Sequence, residues 1–350
     1  MPPDITVLIP TRNRAAPLRK TLESMTKVQR DGLAVEFVVL DNGSIDGTDA
    51  VLREFSGRLP LRTVWVPKPG KNHAINRALD QAPLGEVVVF TDDDVSVEES
   101  WLVAILDACR RWPRHSIFGG RIDPVWPDSA TLPAWAYQYG LQMMAFSRHR
   151  LDQEEGEYPK GWEPFGPNFW MRREAIGRHR MHEAIGPHPT RRKVGGETEF
   201  LLRLRRTGLI PVYVPSIRVE HHIESERLTV RALYRRAFQL GQGRVYLVGH
   251  PEPELLARSP LLWKVRRVRD LLWCLARTSE ALIPTENGER TERVVKKLIE
   301  AGRHAEALAV AQTTAAIQTT SRAQAPAVQA QPTVRPQRPN GMPNSTSAAS

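Results

Sequence analysis

The stretch "EVVVFTDDDVSV", Glu86–Val97, sets an apolar, β-branched run directly before three carboxylates, Asp92, Asp93 and Asp94. Val87 to Phe90 read as a buried strand. Three like charges at its exit repel one another and destabilise the fold unless a positive charge sits among them. Alternate residues of an extended exit point the same way, so Asp92 and Asp94 converge. Hard divalent cations such as Mg2+ or Mn2+ choose carboxylate oxygens and keep positions open for phosphate. A plainer use of the same side chains is to let Asp94 or Ser96 cap the helix that follows.

The residues around this run alternate strand and helix over the first ~120 positions. "ITVLIP" (Ile5–Pro10), "VEFVVLD" (Val35–Asp41) and "LRTVWV" (Leu61–Val66) read as strands. Helical patterns follow each of them: "APLRKTLESMTKV", then "DGTDAVLREFS" with an acidic first turn, then "KNHAINRALDQA". After the aspartates come the helix "EESWLVAILDACRRW" and a fifth strand, "SIFGGRI". Such alternation predicts an α/β fold, a Rossmann-like and mostly parallel sheet flanked by helices. Ligands of such sheets sit beyond the carboxyl ends of the strands, where Asp41 and the aspartate triplet fall.

From about Asp123 the pattern loosens. "DPVWPDSATLPAWAYQYG" reads as a loop or lid carrying Trp126 and Trp135, and "PFGPNFWMRREAI" as a strand entering a helix. "GGETEFLLRLRRTG" is a helix, "LIPVYVPSIRVEHH" a strand pair and "ERLTVRALYRRAFQLGQGRVYL" a basic helix. Residues 258–283 read as one helix mixing Leu261, Leu262, Val265, Val268, Leu272 and Leu275 with Arg266, Arg267, Arg269 and Arg277. Residues 289–312 read as a short helical pair, and from Thr313 the Ala, Gln, Pro, Ser and Thr composition predicts a disordered tail.

The chain of 350 residues is 41% hydrophobic, enough for a full core, and its net charge of +10 favours anionic partners. Its two cysteines, Cys109 and Cys274, have no metal-ligand spacing, which argues against a disulfide framework and for a reducing compartment. The N-terminus lacks a basic segment followed by an apolar run, and no window reaches the ~18 apolar residues of a membrane span. A soluble or surface-bound cytoplasmic protein is expected.

"VLIPTRNR", "FVVLDNGSIDGT", "GKNHAINRAL" and "VVVFTDDDVSV", in this order and spacing, resemble the nucleotide-sugar half of a family-2 glycosyltransferase with the GT-A fold. "PFGPNFWMRREAI" and "GGETEFLLRLRRTG" resemble that family's acceptor-side segments, so the resemblance covers residues 4–245. It implies a nucleotide-sugar-binding half at 1–122, an acceptor-binding half at 123–250, a basic amphipathic helical extension at 251–312 and the tail at 313–350.

The resemblance also implies roles. Thr11 and Arg12 lie where the family contacts the nucleotide base, and Asp41 where it accepts a hydrogen bond from the base; Asp46 reads as a helix cap. Lys71 and Asn72 open a helix whose N-terminus favours an anion. Ile75 stands where many relatives have arginine, which leaves Lys71 to supply the charge. Asp92 matches the residue that holds the ribose or the metal-bound phosphates, Asp94 matches the direct metal ligand, and Asp93 stands between them. Glu197 falls where the family's catalytic base is usually aspartate, with Glu199 as the second candidate. His221, ahead of His222, matches a histidine that completes the metal shell or contacts pyrophosphate. Gly166, Asn168 and Trp170 are expected to line the acceptor or sugar side.

The expectation is a metal-dependent, inverting transfer of a sugar from a nucleotide-diphosphate donor to a lipid-linked or polysaccharide hydroxyl, with Mn2+ or Mg2+ as cofactor. Arginines at 172, 173, 178, 180, 191, 192, 227, 231, 235 and 236, with Lys193 and residues 258–283, suit an anionic membrane surface or a solvated helix docked on the domain. No recognition helix or zinc knuckle points to nucleic acid. A sugar nucleotidyltransferase is an alternative, disfavoured by the glycine-poor "PTRNRAAPL"; a catalytically silent nucleotide-sugar-binding scaffold is the other.

Overall fold

The structure, a computed structural model, describes residues 3–81, 83–128, 131–190, 193–278 and 288–323, with side chains as far as residue 311. Residues 1–309 form one compact unit; of the second, 310–350, the described part is a helical stretch ending at Ala323.

In chain order the first half runs β1 (Ile5–Thr11), α1 (Ala15–Thr26), β2 (Val35–Asp41), α2 (Thr48–Phe55), β3 (Leu61–Trp65), α3 (Lys71–Gln81) and β4 (Val87–Phe90). These four strands are all parallel, in the order β3-β2-β1-β4, with Thr11 opposite Asp41 at one edge. Next come β5 (Val95–Val97), α4 (Trp101–Arg111), β6 (Ile117–Val125), α5 (Tyr139–Phe146), β7 (Gly156–Glu157), β8 (Phe169–Arg172), α6 (Arg173–Ile176), α7 (Gly196–Arg205) and β9 (Val212–His222). β8 is inserted antiparallel between β4 and β6, so the sheet continues β4-β8-β6-β9-β5 and its second half is mixed.

The strands read as continuous apolar runs because both faces are covered. Val7, Phe37, Val39 and Val89 point into a core with Leu22 of α1, Phe55 of α2 and Trp101 of α4. Their neighbours Leu8, Val38, Leu40 and Val88 point the other way, against Ala74 and Ala78 of α3 and Phe200 and Leu204 of α7. Phe90 stacks on Phe169 across the β4–β8 seam, centroids 4.4 Å apart.

Several sequence expectations change. The helix after the aspartates is not capped by Asp94 or Ser96, because β5 intervenes. "LIPVYVPSIRVEHH" is one strand rather than two; its register against β6 slips between Gly120 and Arg121, opposite the stretch that holds Pro215. Part of the expected loop or lid is core, while Tyr137 beside it stays exposed. Trp135 is buried against Phe146, which Trp126 meets edge-on, and both pack beneath Leu233 and Ile299.

The C-terminal helices are α8 (Val230–Val248), α9 (Pro253–Arg258), α10 (Pro260–Ala276) and α11 (Gly288–Ala323). Residues 258–276 are therefore broken at Ser259–Pro260, and the expected pair at 289–312 is one helix. Gly302 suggests a break in the sequence, but it serves contact. A Cβ there would run into the Phe238 carbonyl, as one at Gly241 would into that of Ile299, so α8 and α11 cross backbone to backbone. The tail from 313 overlaps α11 as far as Ala323, and its remainder lies outside the described residues. Both cysteines are free and buried. Among the described residues no helix is long and apolar enough to cross a membrane.

One buried group sets a pH dependence. His149 is fully buried, stacked on Phe165, with Nε2 2.8 Å from the Tyr158 hydroxyl and Nδ1 without a hydrogen bond. Burial pushes its pKa down to about 4. The unfolded chain, with an ordinary imidazole near 6.5, therefore binds a proton that the folded chain refuses between these values. Stability is fully present above pH ~6.5 and falls by up to about 3 kcal/mol as the pH drops toward 4. Urea midpoints measured across that window are expected to fall less steeply for His149→Phe than for the wild type.

Candidate active site

β1, β2 and β4 end at one edge of the sheet and deliver Thr11–Arg14, Asn42 and Asp92–Asp94 to a cleft of about 910 Å³. The N-termini of α3 and α7 and one side of α8 form the opposing walls, through Lys71, Glu197, Arg235 and Arg236.

The triplet is met by cations of the chain itself. The Arg14 guanidinium donates from Nε to Asp93 Oδ1 at 2.9 Å and from Nη2 to Asp94 Oδ2 at 2.8 Å, and its Nη1 lies 3.1 Å from Glu224. Thr11 Oγ1 donates to the second oxygen of Asp93 at 2.7 Å. Lys71 Nζ bridges Asp92 at 2.6 Å and Glu197 at 2.7 Å. Burial pushes the Asp93 carboxyl up to about 7 although Arg14 opposes it. Burial opposes ionisation of Asp94 too, but His221, Arg14 and Arg227 hold it well below the usual carboxylate range. Lys71 is buried, yet its two carboxylates raise its pKa above the ordinary lysine value.

Arg14 was missed in the sequence reading, which weighed Arg12 instead. The signal was its place at the mouth of α1, where the helix dipole repels a cation unless acids face it. Removing it leaves the buried Asp93 carboxylate without a cation, while Asp94 keeps His221 and Arg227. Arg14→Met is expected to lower stability by about 2–3 kcal/mol, and adding Asp93→Asn should recover part of that loss in a urea double-mutant cycle.

β5 pairs with β9 so that Val95 faces His221, which seats the imidazole beside Asp94. His221 Nδ1 lies 2.6 Å from the Phe146 carbonyl and must donate to it, which leaves Nε2 toward the cleft in the neutral ring. Nε2 is 3.3 Å from Asp94 Oδ1, a buried oxygen with no hydrogen bond of its own. An orphaned carboxylate oxygen beside an imidazole nitrogen fits a divalent cation that draws its other ligands from phosphate and water. Among the described residues, no three side chains of His, Cys, Asp and Glu form a closed ligand set. His222 points to the other side, toward Ser96 at 2.5 Å.

Glu197 stands in the first turn of α7. Gly195 opens that turn with φ +109°, a conformation few other residues adopt. A Cβ at Gly166 would lie 3.0 Å from Glu197 Oε1, and one at Gly196 would lie 2.5 Å from Asn72 Nδ2. Glycine thus lets the loop and both helix starts close on the carboxylate. Burial raises the Glu197 pKa, but Lys71 outweighs it and keeps the group below its ordinary value.

Arg12 reaches the Asn42 carbonyl on the cleft wall. Asp41 lies behind that wall, its Oδ1 accepting from the Ser44 N–H at 2.9 Å. Asn42 faces the cleft instead, and it ties the next strand's exit by donating to Val66 and Lys68 carbonyls and accepting from Gly70. Ile75 is buried in the core.

Besides Asp41, three expected site residues are not brought to the cleft. Glu199 is held by its partner one turn on, Arg203, at 2.7 Å. Trp170 is fully buried, stacked on Phe118 at 5.6 Å, because β8 is an interior strand. Asn168 is equally buried and braces the β6–β9 slip through the Arg121 and Ile217 carbonyls, both at 3.0 Å. Gly166 alone of that trio lines the cleft.

Some of the basic residues are spent internally: Arg172 donates to the Cys109 and His115 carbonyls, and Lys193 pairs with Glu306. Arg227, Arg235 and Arg236 line the cleft, Arg231 an adjoining hollow of about 570 Å³ with Tyr234 and Phe238, and Arg191 and Arg192 lie outside the described residues.

A half-parallel sheet with an acidic rim facing a helix-start carboxylate is the arrangement of a GT-A transferase. The sequence profile of glycosyl transferase family 2 matches residues 6–180, and the chain belongs to that family of enzymes acting on nucleotide sugars. It is 24% identical over 208 residues to glycosyltransferase AglE of Haloferax volcanii, covering 54% of this chain and 68% of that protein. Succinoglycan biosynthesis protein ExoM of Rhizobium meliloti is 27% identical over 255 residues, 68% of this chain and 72% of that one. The N-acetylglucosaminyl-diphospho-decaprenol L-rhamnosyltransferase of Mycobacterium tuberculosis is 30% identical over 218 residues, 54% and 66%. Among solved structures, the mannosyltransferase PcManGT from Pyrobaculum calidifontis, in complex with GDP-Man and Mn2+, is similar with TM-score 0.49 and 19% identity, over 93% of this chain and 81% of that one.

Proposed function

We propose that this glycosyltransferase moves a sugar, with inversion, from a nucleotide-diphosphate donor to a hydroxyl of a lipid-linked or polysaccharide acceptor. The observation that carries the reading is Lys71, which joins Asp92 on the donor rim to Glu197 on the opposing wall. Thr11, Arg12 and the Asp41–Asn42 corner receive the nucleoside, and Asp92 and Asp93 the ribose and phosphates. Asp94 and His221 would hold Mn2+ or Mg2+. When bound, that cation would neutralise the diphosphate leaving group.

Glu197 takes the proton of the acceptor hydroxyl; Lys71 holds it ionised at neutral pH, at some cost in basicity. The freed oxygen bonds to the anomeric carbon from the face opposite the diphosphate. The bond between that carbon and the phosphate oxygen breaks, and its electron pair leaves with the nucleoside diphosphate. Lys71 orients Glu197 and balances its charge. Gly166 gives the acceptor room beside Glu197. The relatives named for succinoglycan biosynthesis and for a diphospho-decaprenol acceptor support a place in cell-envelope or exopolysaccharide synthesis, peripheral to the cytoplasmic face of the membrane.

The test is a screen of nucleotide sugars with Mn2+ for release of free nucleoside diphosphate, run beside thermal shifts on the same mixtures. One donor is expected both to raise the melting temperature and to be turned over. Tight binding without any turnover would favour the silent scaffold.

A further inference from the structure

α10 presents an apolar face that the described residues leave in solvent. Leu261, Val265, Val268, Leu272 and Leu275 recur at spacings of four and three, which sets them in one stripe along the helix. Leu261 is 75% exposed, Val265 58% and Leu272 60%. The opposite side is anchored: Trp263 is fully buried and donates to the Pro251 carbonyl at 2.7 Å, and Arg267 is buried between Glu252 and Asp270. The stripe is thus held outward by a fixed inner face, and it spans about 21 Å.

Three occupants are weighed: a second copy, the chain's residues 324–350, or a lipid surface. A two-stranded pairing along this 4–3 repeat would set Lys264 of one copy against Arg269 of the other, since these flank the stripe on either side. That contact is repulsive. Residues 324–350 carry only Val328, Val334 and Met342 as large apolar side chains, with Arg335 and Arg338 adding more positive charge, so they do not complement the stripe. α10 holds four cations against the single acid Asp270, and Arg277 and Lys297 lie over the Trp273 ring at 4.1 and 4.4 Å. Half-exposed tryptophan, leucines and flanking cations together match an anionic leaflet.

We infer that α10 is an in-plane anchor: its Leu261–Leu275 stripe enters the acyl boundary of an anionic membrane while Lys264 and Arg269 meet lipid phosphates. This deepens the proposed peripheral placement. It is read without donor or acceptor, so its failure leaves the transfer reaction standing.

Full-length protein is sedimented with vesicles of phosphatidylcholine alone or mixed with phosphatidylglycerol. Binding is expected only to the mixed vesicles and should weaken with salt. Lys264→Gln with Arg269→Gln should weaken partitioning roughly 30-fold, and Leu261→Ser with Leu272→Ser at least about tenfold. All four positions are surface sites, so thermal melts should match the wild type. Equal binding to both vesicle types, or unchanged binding in both double variants, overturns the inference. So does a dimer in analytical ultracentrifugation that Leu272→Ser dissociates.

Discussion

Glu197→Gln is expected to lower kcat by about 10²–10⁴-fold, the span usual for a lost general base, while donor affinity stays within a few-fold. The amide keeps the shape and can still accept from Lys71, so the walls of the cleft stay in place. Lys71 also retains Asp92 at 2.6 Å. What is removed is the negative charge beside Lys71 and with it the capacity to take a proton. Glu197→Asp should keep part of the activity, since the carboxylate is retained, though in a cleft whose loops are fitted to the longer side chain. Glu199→Gln should be close to wild type, because its carboxylate is paired with Arg203 and does not line the cleft. Single-turnover rates with a saturating donor separate the three variants, and near-full activity in Glu197→Gln would remove the base assignment.

Asp94→Ala is expected to abolish transfer and leave a folded protein. Arg14 keeps Asp93 and Glu224 as partners when Asp94 is gone, so no buried cation is stranded. What is lost is the orphaned oxygen beside His221. Wild-type protein saturated with Mn2+ and donor at a hundred times the dissociation constant gains about 2.7 kcal/mol; the variant should gain none of the share that depends on the metal. Full activity of Asp94→Ala in Mn2+ would sink the metal assignment, whereas a melting temperature far below the wild type's in the absence of ligand would show that Asp94 is needed for the fold.

The N-terminal sheet was legible because four apolar runs, each closed by a polar exit and followed by a 3.6-period helix, admit few arrangements. The second half was not, for reasons that local patterns do not carry. β8 runs antiparallel between β4 and β6, and no residue of "FWMR" announces that direction, so Trp170 reads as lining the acceptor or sugar side when it is an interior strand residue. Gly241 and Gly243 lie inside an expected helix and Gly302 inside an expected helical pair, and no local pattern shows that all three are close contacts between backbones far apart in sequence. At the candidate site, the aspartates were legible from their place at a strand end, and Lys71, Glu197 and His221 from the family resemblance. Arg14 was not, because its partners lie 79 and 80 residues away. The triplet's own sequence poses the charge problem; only the fold shows that part of the answer is a guanidinium.

Asn72 directly follows Lys71 at the start of α3, and its side chain is wedged between Gly186 and Gly196, the latter adjoining Glu197 in α7. Asn72 therefore ties the start of α3, which carries Lys71, to the start of α7, which carries Glu197. With donor and acceptor bound on these two walls as proposed, a ligand on one wall is expected to change the affinity at the other, and thermodynamic reciprocity makes the two factors equal, so donor titrations with and without acceptor measure that link.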